Sequence, residues 1–253
     1  MRHTITLFML SSLWLAGATA ATASTTAKVG LSFAPDVAGS PTTVTITAAF
    51  NEPNGGVPAP IRKSITHLPP GLEIDVSGLS TCSLAKLEQE EPHAGDCPKA
   101  SLLGAGTTFA EANLGLEPIQ EHAPVTAVLG SVKPGRILMY LDGEGSYPIT
   151  EQVIAKAILT GNPATGQTFT ITVPPIPTSV GGPNASVLNF TMSLGRQKVI
   201  SLDRHRHGKS GVLPRGLILP RSCHGQLSFP TKLFFAGSQP PISLTPTVPC
   251  PRR

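Results

Sequence analysis

The sequence is poor in aromatic side chains. Tryptophan occurs once, at Trp14, and tyrosine twice, at Tyr140 and Tyr147. Sugar-binding surfaces rely on flat aromatic faces, and tryptophan offers the largest of these. The shortage therefore disfavours a carbohydrate-binding surface in the chain that follows Trp14.

Charged residues are also scarce, at 13% of the chain, and the excess of one sign is small. The formal net charge is +4, spread along the sequence except for a basic run at residues 204–209 (RHRHGK). Proteins that bind nucleic acids usually concentrate such charge on one face and interleave it with aromatic residues. We therefore expect no nucleic-acid partner.

Long apolar runs are missing beyond the N-terminus. An apolar run at residues 5–16 (ITLFMLSSLWLA) follows the basic residue Arg2. The small residues further on are suited to cleavage of a signal peptide after Ala20 or after Ala23. This pattern is typical of a secretory signal, and the run is too short to span a bilayer; an uncleaved anchor helix is the alternative. We interpret residues 1–23 as a signal peptide and expect a secreted, extracellular or cell-envelope protein without a transmembrane segment in its mature chain.

Motifs of nucleophilic and phosphoryl-transfer enzymes are absent from the sequence. It contains no GxSxG elbow, no SxxK motif partnered by SDN and KTG, and no HExxH helix motif. Residues 208–210 (GKS) match the end of a phosphate-binding loop, but Asp203 stands where that loop requires glycine. We therefore expect a protein that is not an enzyme, with no catalytic residues and no cofactor.

Two groups of residues could hold a metal ion. Asp142 and Glu144 offer carboxylates in a sequence that predicts a turn, but calcium needs six to eight oxygen ligands. His205 and His207 would share one face of a strand, and His224 could complete a zinc site. The cations within residues 204–209 repel a divalent ion, so we favour a solvated loop there and expect no metal; contact with an anionic surface is the alternative role of that run.

Four cysteines in an exported chain predict disulfides. Four cysteines allow three connectivities, and the spacing favours the two local pairs, Cys82 with Cys97 and Cys223 with Cys250. A zinc site is disfavoured because the sequence has no CxxC or CxxH spacing.

Frequent turns and alternating side chains predict an all-β fold. The chain has 25 glycines and 26 prolines, which separate short runs rich in β-branched residues. In residues 43–50, Val44, Ile46 and Phe50 fall on one face and threonines on the other, as in a half-buried strand. The same alternation predicts strands at residues 28–34, 61–67, 123–132, 136–141, 152–160, 167–173, 186–193, 198–202, 226–228, 232–236 and 242–248.

The pattern indicates two Ig-like β-sandwich domains, residues 24–112 and residues 113–253, with a boundary near residues 115–118. A single larger sandwich is the alternative. One helical period occurs at residues 83–90, where Ser83 could cap one or two turns inside the first disulfide loop.

A tight turn is predicted in the segment Leu68-Pro-Pro-Gly-Leu72. Two prolines fix φ, and Gly71 can adopt a positive φ. The segment should end the preceding strand and return Leu72 to the core.

Short turn and cysteine motifs carry a resemblance to a known family. The pattern LPxGL…GL..CS…CP..S..G is matched by residues 68–72, Gly78, Leu79, Cys82, Ser83, Cys97, Pro98, Ser101 and Gly104. The chain thereby resembles uncharacterised exported β-sandwich proteins of actinobacteria, which often contain several such modules. The resemblance implies an extracellular or envelope setting and paired cysteines, and it supplies no catalytic residue. The basic run at residues 204–209 departs from the family pattern.

These observations together predict a non-enzymatic exported β-sandwich protein. We expect it to act as a structural, adhesive or protein-binding module of the cell envelope, with a protein or an envelope surface as partner. The alternative is an extracellular protein that binds a small ligand or a carbohydrate.

Overall fold

The structure is a computed structural model that describes residues 25–89, 97–113, 118–146, 151–178, 182–195 and 216–253. Nearly all of its regular structure is β. The strands are β1 Thr26–Ala34, β2 Pro41–Asn51, β3 Ile61–Leu68, β4 Glu73–Asp75, β5 Leu102–Asn113, β6 Pro118–Lys133, β7 Arg136–Glu144, β8 Gln152–Asn162, β9 Gly166–Thr172, β10 Ser186–Gly195, β11 Gly216–Ile218, β12 Gln226–Ser228, β13 Thr231–Phe235, β14 Ile242–Leu244 and β15 Thr247–Pro249.

One antiparallel sheet contains thirteen of these strands. Its order is β14-β13-β3-β9-β8-β7-β6-β5-β10-β2-β11-β4, with β1 paired to β2. β12 and β15 form a separate two-stranded sheet. The all-β prediction is confirmed.

β14, at one end of the large sheet, packs against β1, which is paired to β2 near the other end. Side chains of β1 and β14 share a cluster with Phe50 and Phe235, whose rings meet edge-on with centroids 5.8 Å apart. Beside this cluster the Thr25 backbone N–H donates to Gln239 Oε1 at 3.1 Å, and Gln239 Nε2 donates to the Thr25 carbonyl at 3.2 Å. The sheet therefore folds over itself and encloses an interior in the manner of a sandwich.

Alternating burial along β6 shows how sequence sets the two faces of the sheet. Ala123, Val125 and Ala127 are buried, whereas the intervening Pro124 is exposed and Thr126 is half-buried. Successive side chains of a strand point to opposite faces, so the buried set faces the enclosed interior.

Most of the predicted strands are confirmed, some with extended bounds. The segment predicted at residues 242–248 is divided into β14 and β15, because residues 245 and 246 interrupt it. The segment predicted at residues 198–202 lies outside the described residues. Three observed strands were not predicted from the alternation: β4, β5 and β11.

The predicted boundary after residue 112 does not separate two domains. The strands on either side of it, β5 and β6, pair with each other from Leu102 opposite Val128 to Asn113 opposite Pro118. β2 pairs with β10, and β3 pairs with both β9 and β13. Residues 24–112 and 113–253 thus contribute interleaved strands to one sheet, and the prediction of two separate sandwiches is corrected to the single larger one.

Part of the predicted helix is present. α1 spans Leu84–Leu87, and Ser83 occupies the N-cap position, although its side chain makes no capping hydrogen bond. A 3-10 turn follows at Lys99–Ser101. Leu87 is fully buried against the outer face of the sheet, beside Val128 and Tyr140.

Both predicted disulfides are present. Cys82 bonds to Cys97, and the bridge belongs to the cluster that holds α1 against β6 and β7. Cys223 bonds to Cys250 and links the segments that precede β12 and follow β15. The described residues contain no free cysteine.

Two hydrophobic clusters fill the enclosed interior at one end. The first comes mainly from β6, β7 and β8, and Ile74, Val76 and Leu79 pack against it from the segment around β4. The second contains Phe33, Val44, Leu72, Leu217, Leu219, Leu227 and Phe229. This end of the molecule is therefore a packed core.

The predicted turn at residues 68–72 is confirmed. Gly71 has a φ of 82°, and Leu72 is buried with an exposed fraction of 2%. The Gly71 N–H donates to the Pro163 carbonyl at 2.7 Å, so the turn is also fixed to the β8–β9 connection.

Gly71→Ala should lower the free energy of unfolding by about 2 kcal/mol, measured by urea denaturation. A side chain is disfavoured at positive φ by roughly 1–2 kcal/mol. In addition, the new Cβ would lie 3.2 Å from Pro220 Cβ. Gly78→Ala is the matched control, because Gly78 has a φ of 79° and no atom within 4 Å of the new Cβ. An equal loss of stability in the two variants would contradict the role assigned to the Pro220 contact.

Candidate functional site

The enclosed interior is hollow at its other end. A cavity of about 220 Å³ lies there, lined by side chains from β1–β3, β5–β10 and β13. Its walls are almost entirely apolar, with Ile46, Phe169, Phe190 and Leu233 among the larger contributors. Most of the lining positions follow the period of two that directs alternate side chains of each strand inward.

The cavity lies near one set of strand ends. Phe50 at the end of β2, Ala110 near the end of β5 and Val153 at the start of β8 all line it. Ile176 and Ala185 from the β9–β10 connection complete this end, and the Ala185 N–H donates to the Ile176 carbonyl at 2.8 Å.

Small residues on neighbouring strands create the space. Inward-facing Ala123, Gly143 and Ala155 lie on β6, β7 and β8, which are adjacent in the sheet. A Cβ built on Gly143 would meet only Val153 O at 3.6 Å and Val125 Cγ2 at 3.9 Å, which is ordinary contact. The interior thus lacks side-chain volume here, whereas Leu129 and Leu159 fill it further along the same strands.

The polar side chains of the lining are few and mostly bonded within the protein. The hydroxyls of Thr66 and Thr231 lie 3.1 Å apart, and Thr108 Oγ1 donates to the Asn189 carbonyl at 3.1 Å. Ser64 adds a further hydroxyl. Hydroxyls engaged in this way leave a surface that behaves as apolar toward a ligand.

Glu121 is the buried ionisable group of the cavity, with an exposed fraction of 6%. Its Oε1 accepts hydrogen bonds from the Ser146 N–H at 3.0 Å and from the Ser146 hydroxyl at 2.8 Å. Glu151 also lines the cavity, and its carbonyl accepts from the Gly145 N–H at 3.0 Å. The buried carboxylate of Glu121 therefore lies where the apolar walls approach the strand ends, whereas Glu151 is an exposed residue of the lining.

Reactive side chains are few among the described residues that line the cavity. Among the described residues that line the cavity there is no histidine, cysteine, lysine or arginine. Its ionisable residues are Glu121 and Glu151.

The acidic pair considered for calcium does not lie in a turn, so that interpretation is corrected. Asp142 and Glu144 belong to β7, which continues through them because their backbone pairs with β8. Asp142 is buried, with an exposed fraction of 1%. Its Oδ1 accepts from Gln152 Nε2 at 2.9 Å, and the same amide donates to the Leu87 carbonyl at 2.7 Å, which ties α1 to the sheet.

Of the three histidines considered for zinc, His224 alone lies within the described residues. His224 is exposed just before β12. His205, His207 and the rest of the basic run at residues 204–209 lie outside the described residues. Within the described ranges no group of three or more His, Cys, Asp or Glu residues could hold a metal ion.

Sequence reasoning did not find the cavity. The available signal was the run of small residues at inward positions, such as Ala123 and Ala155. From the alternation alone, an alanine that faces inward is predicted to be part of a packed core. Only the order of the strands in the sheet shows that several such small residues lie next to one another.

No helix in the described part of the chain is long and apolar enough to cross a membrane. Comparisons of the chain with protein-family models, with curated protein sequences and with solved structures found no match.

Proposed function

We propose that the protein binds a small molecule with an apolar body inside the cavity and carries or presents it outside the cytoplasm. The observation that supports this is the apolar lining of a space of about 220 Å³. Apolar cavities of roughly 150 Å³ already hold benzene-sized molecules and exclude water. A larger cavity of this kind suits an alkyl chain or a compact hydrophobic compound.

The cavity favours small-ligand binding over the structural or adhesive role that the composition suggested first. An adhesive module needs a complementary outer surface, whereas a hollow interior costs stability unless something occupies it. The lining has few polar groups, and its described residues include neither tryptophan nor tyrosine, which favours an apolar ligand over a carbohydrate.

Export is part of the same proposal. The apolar run at residues 5–16 predicts a secretory signal. The Cys82–Cys97 and Cys223–Cys250 bridges fit an oxidising compartment, because disulfides are rare in the reducing cytosol. The resemblance to exported actinobacterial proteins supports the same location.

Filling the cavity tests the proposed function. Ala123→Leu adds three carbon atoms at an inward position of β6 and should weaken binding of the neutral fluorescent probe N-phenyl-1-naphthylamine by about tenfold or more. The wild-type protein should bind the probe saturably with enhanced emission, measured by fluorescence titration.

Ala105→Leu is the matched control, because Ala105 is an exposed residue of β5 outside the cavity lining. It makes the same chemical change and also reveals any probe bound elsewhere on the chain. Urea denaturation should show Ala123→Leu to be as stable as Ala105→Leu, since the added carbons enter empty space. Equal probe affinity in the two variants, or no saturable binding by the wild type, would overturn the proposed function.

A further inference from the structure

The side chain of Glu121 points into an otherwise apolar interior. It is on the inward face of β6, two residues before Ala123, and its exposed fraction is 6%. Among the described residues, its carboxylate accepts hydrogen bonds only from Ser146, a neutral residue, and both bonds go to Oε1. A buried carboxylate is costly unless it is paired, and neutral donors compensate it less than a cation does.

The charge of the lining has one sign. Glu121 and Glu151 are its ionisable residues, and the described lining contains no cationic side chain to balance them. Charges in a medium of low dielectric constant interact strongly with one another. Glu121 is buried, whereas Glu151 is exposed and screened by water, so Glu121 is the lining charge that is screened least.

We propose that the cavity selects single-chain amphiphiles with a positively charged head group, such as alkylamines, and rejects those with an anionic head group. The inference rests on the proposed function and specifies its ligand class. The alkyl chain lies along the apolar walls, and the ammonium group supplies to Glu121 the cation that the lining lacks. Complementary charge at a binding site determines which partners are accepted, because like charges brought together are repelled.

A head-group series on the wild-type protein tests the selection directly. Octylamine, 1-octanol and octanoate each contain eight carbon atoms in one unbranched chain, and at pH 7 their head groups are cationic, neutral and anionic respectively. Each is titrated against bound N-phenyl-1-naphthylamine, which is neutral. Octylamine should displace the probe at about tenfold lower concentration than 1-octanol, and octanoate should be weaker than 1-octanol by a similar factor.

Glu121→Gln identifies the residue responsible. Glutamine keeps the size of the side chain, and its carbonyl oxygen can still accept from Ser146. The variant should bind 1-octanol as the wild type does but should lose about tenfold in affinity for octylamine. Glu111→Gln is the matched control, because Glu111 lies on the neighbouring strand β5 outside the lining and bonds to Gln120. It should leave the whole series unchanged.

The outcomes separate this inference from the proposed function. Failure of both the probe and 1-octanol to bind the wild type would overturn the proposed function. If 1-octanol binds, but octylamine and octanoate bind with equal affinity, the head-group inference alone is overturned. The wild-type series decides this even if Glu121→Gln fails to fold, and an equal effect of Glu111→Gln and Glu121→Gln would overturn the assignment to Glu121.

Discussion

Neither predicted half of the chain should fold when produced alone. Residues 24–112 contain β1 to β5, of which only β1 and β2 pair with each other; β3, β4 and β5 pair with strands of residues 113–253. Separation removes the β5–β6, β2–β10 and β3–β9 pairings together with the shared core. The expected loss is the whole free energy of unfolding, on the order of 5–15 kcal/mol for a domain.

Urea denaturation followed by circular dichroism measures this result. The full chain should unfold cooperatively, whereas residues 24–112 and residues 113–253 should each show no cooperative transition. Mixing the two fragments should restore part of the strand signal, because their strands are complementary partners. A cooperative transition in either isolated half would contradict the single-sheet arrangement.

The positions of strands could be predicted from the sequence, but their partners could not. The alternation at Val44, Ile46 and Phe50 predicts which side chains of β2 face inward, and the structure places all three in the interior. It contains no information about the neighbour of β2, which is β10, with Thr45 opposite Ser193. Strands that pair are far apart in sequence, so the pattern that favours two domains is also compatible with one.

The longest strand that the alternation did not predict, β5, shows why local pattern is insufficient. Gly104 and Gly106 weaken the signal of Leu102–Asn113, because glycine is unfavourable within a strand. The structure gives their reason: a Cβ at Gly104 would lie 2.0 Å from Ser193 O, and a Cβ at Gly106 would lie 2.0 Å from Thr191 O. The glycines permit close approach of β10, which is invisible until the pairing is known.

The cavity depends on the same long-range information. An alanine that faces inward packs well in a core when a large residue lies opposite it. When no large residue lies opposite, the alanine leaves a void. Ala123 and Ala155 line the void because the strand between them contributes Gly143. Glu121 would have been expected on a solvated face from its charge alone, and only its place on β6 shows that it points inward.

The cysteine pairing was predicted correctly, yet it did not establish the number of domains. Cys82–Cys97 and Cys223–Cys250 each join residues that are near in sequence. Such bridges fit within one half of the chain whether or not the halves share a core. Two separate domains therefore require each disulfide to lie within one half of the chain, but disulfides of that kind do not show that there are two domains.

Removal of either disulfide should cost the protein much of its stability. Cys82→Ala with Cys97→Ala opens a link between residues 15 apart, and Cys223→Ala with Cys250→Ala opens one between residues 27 apart. Chain-entropy arguments give losses of about 3 and about 3.5 kcal/mol, and alanine avoids burying a new hydroxyl at the closely packed Cys82.

The two bridges should act independently, because they belong to separate parts of the core. Cys82 and Cys97 belong to the cluster with Leu87 beneath α1, whereas Cys223 packs against the cluster around Phe229. Effects at sites without shared partners add, so the variant lacking both bridges should be close to unfolding at 25 °C.

Urea denaturation of the two paired variants measures the individual losses. Reducing agent is the control: it should destabilise the wild type and leave the variant lacking all four cysteines unchanged. A loss below about 1 kcal/mol for either pair would show that its loop is held by packing and not by the bridge.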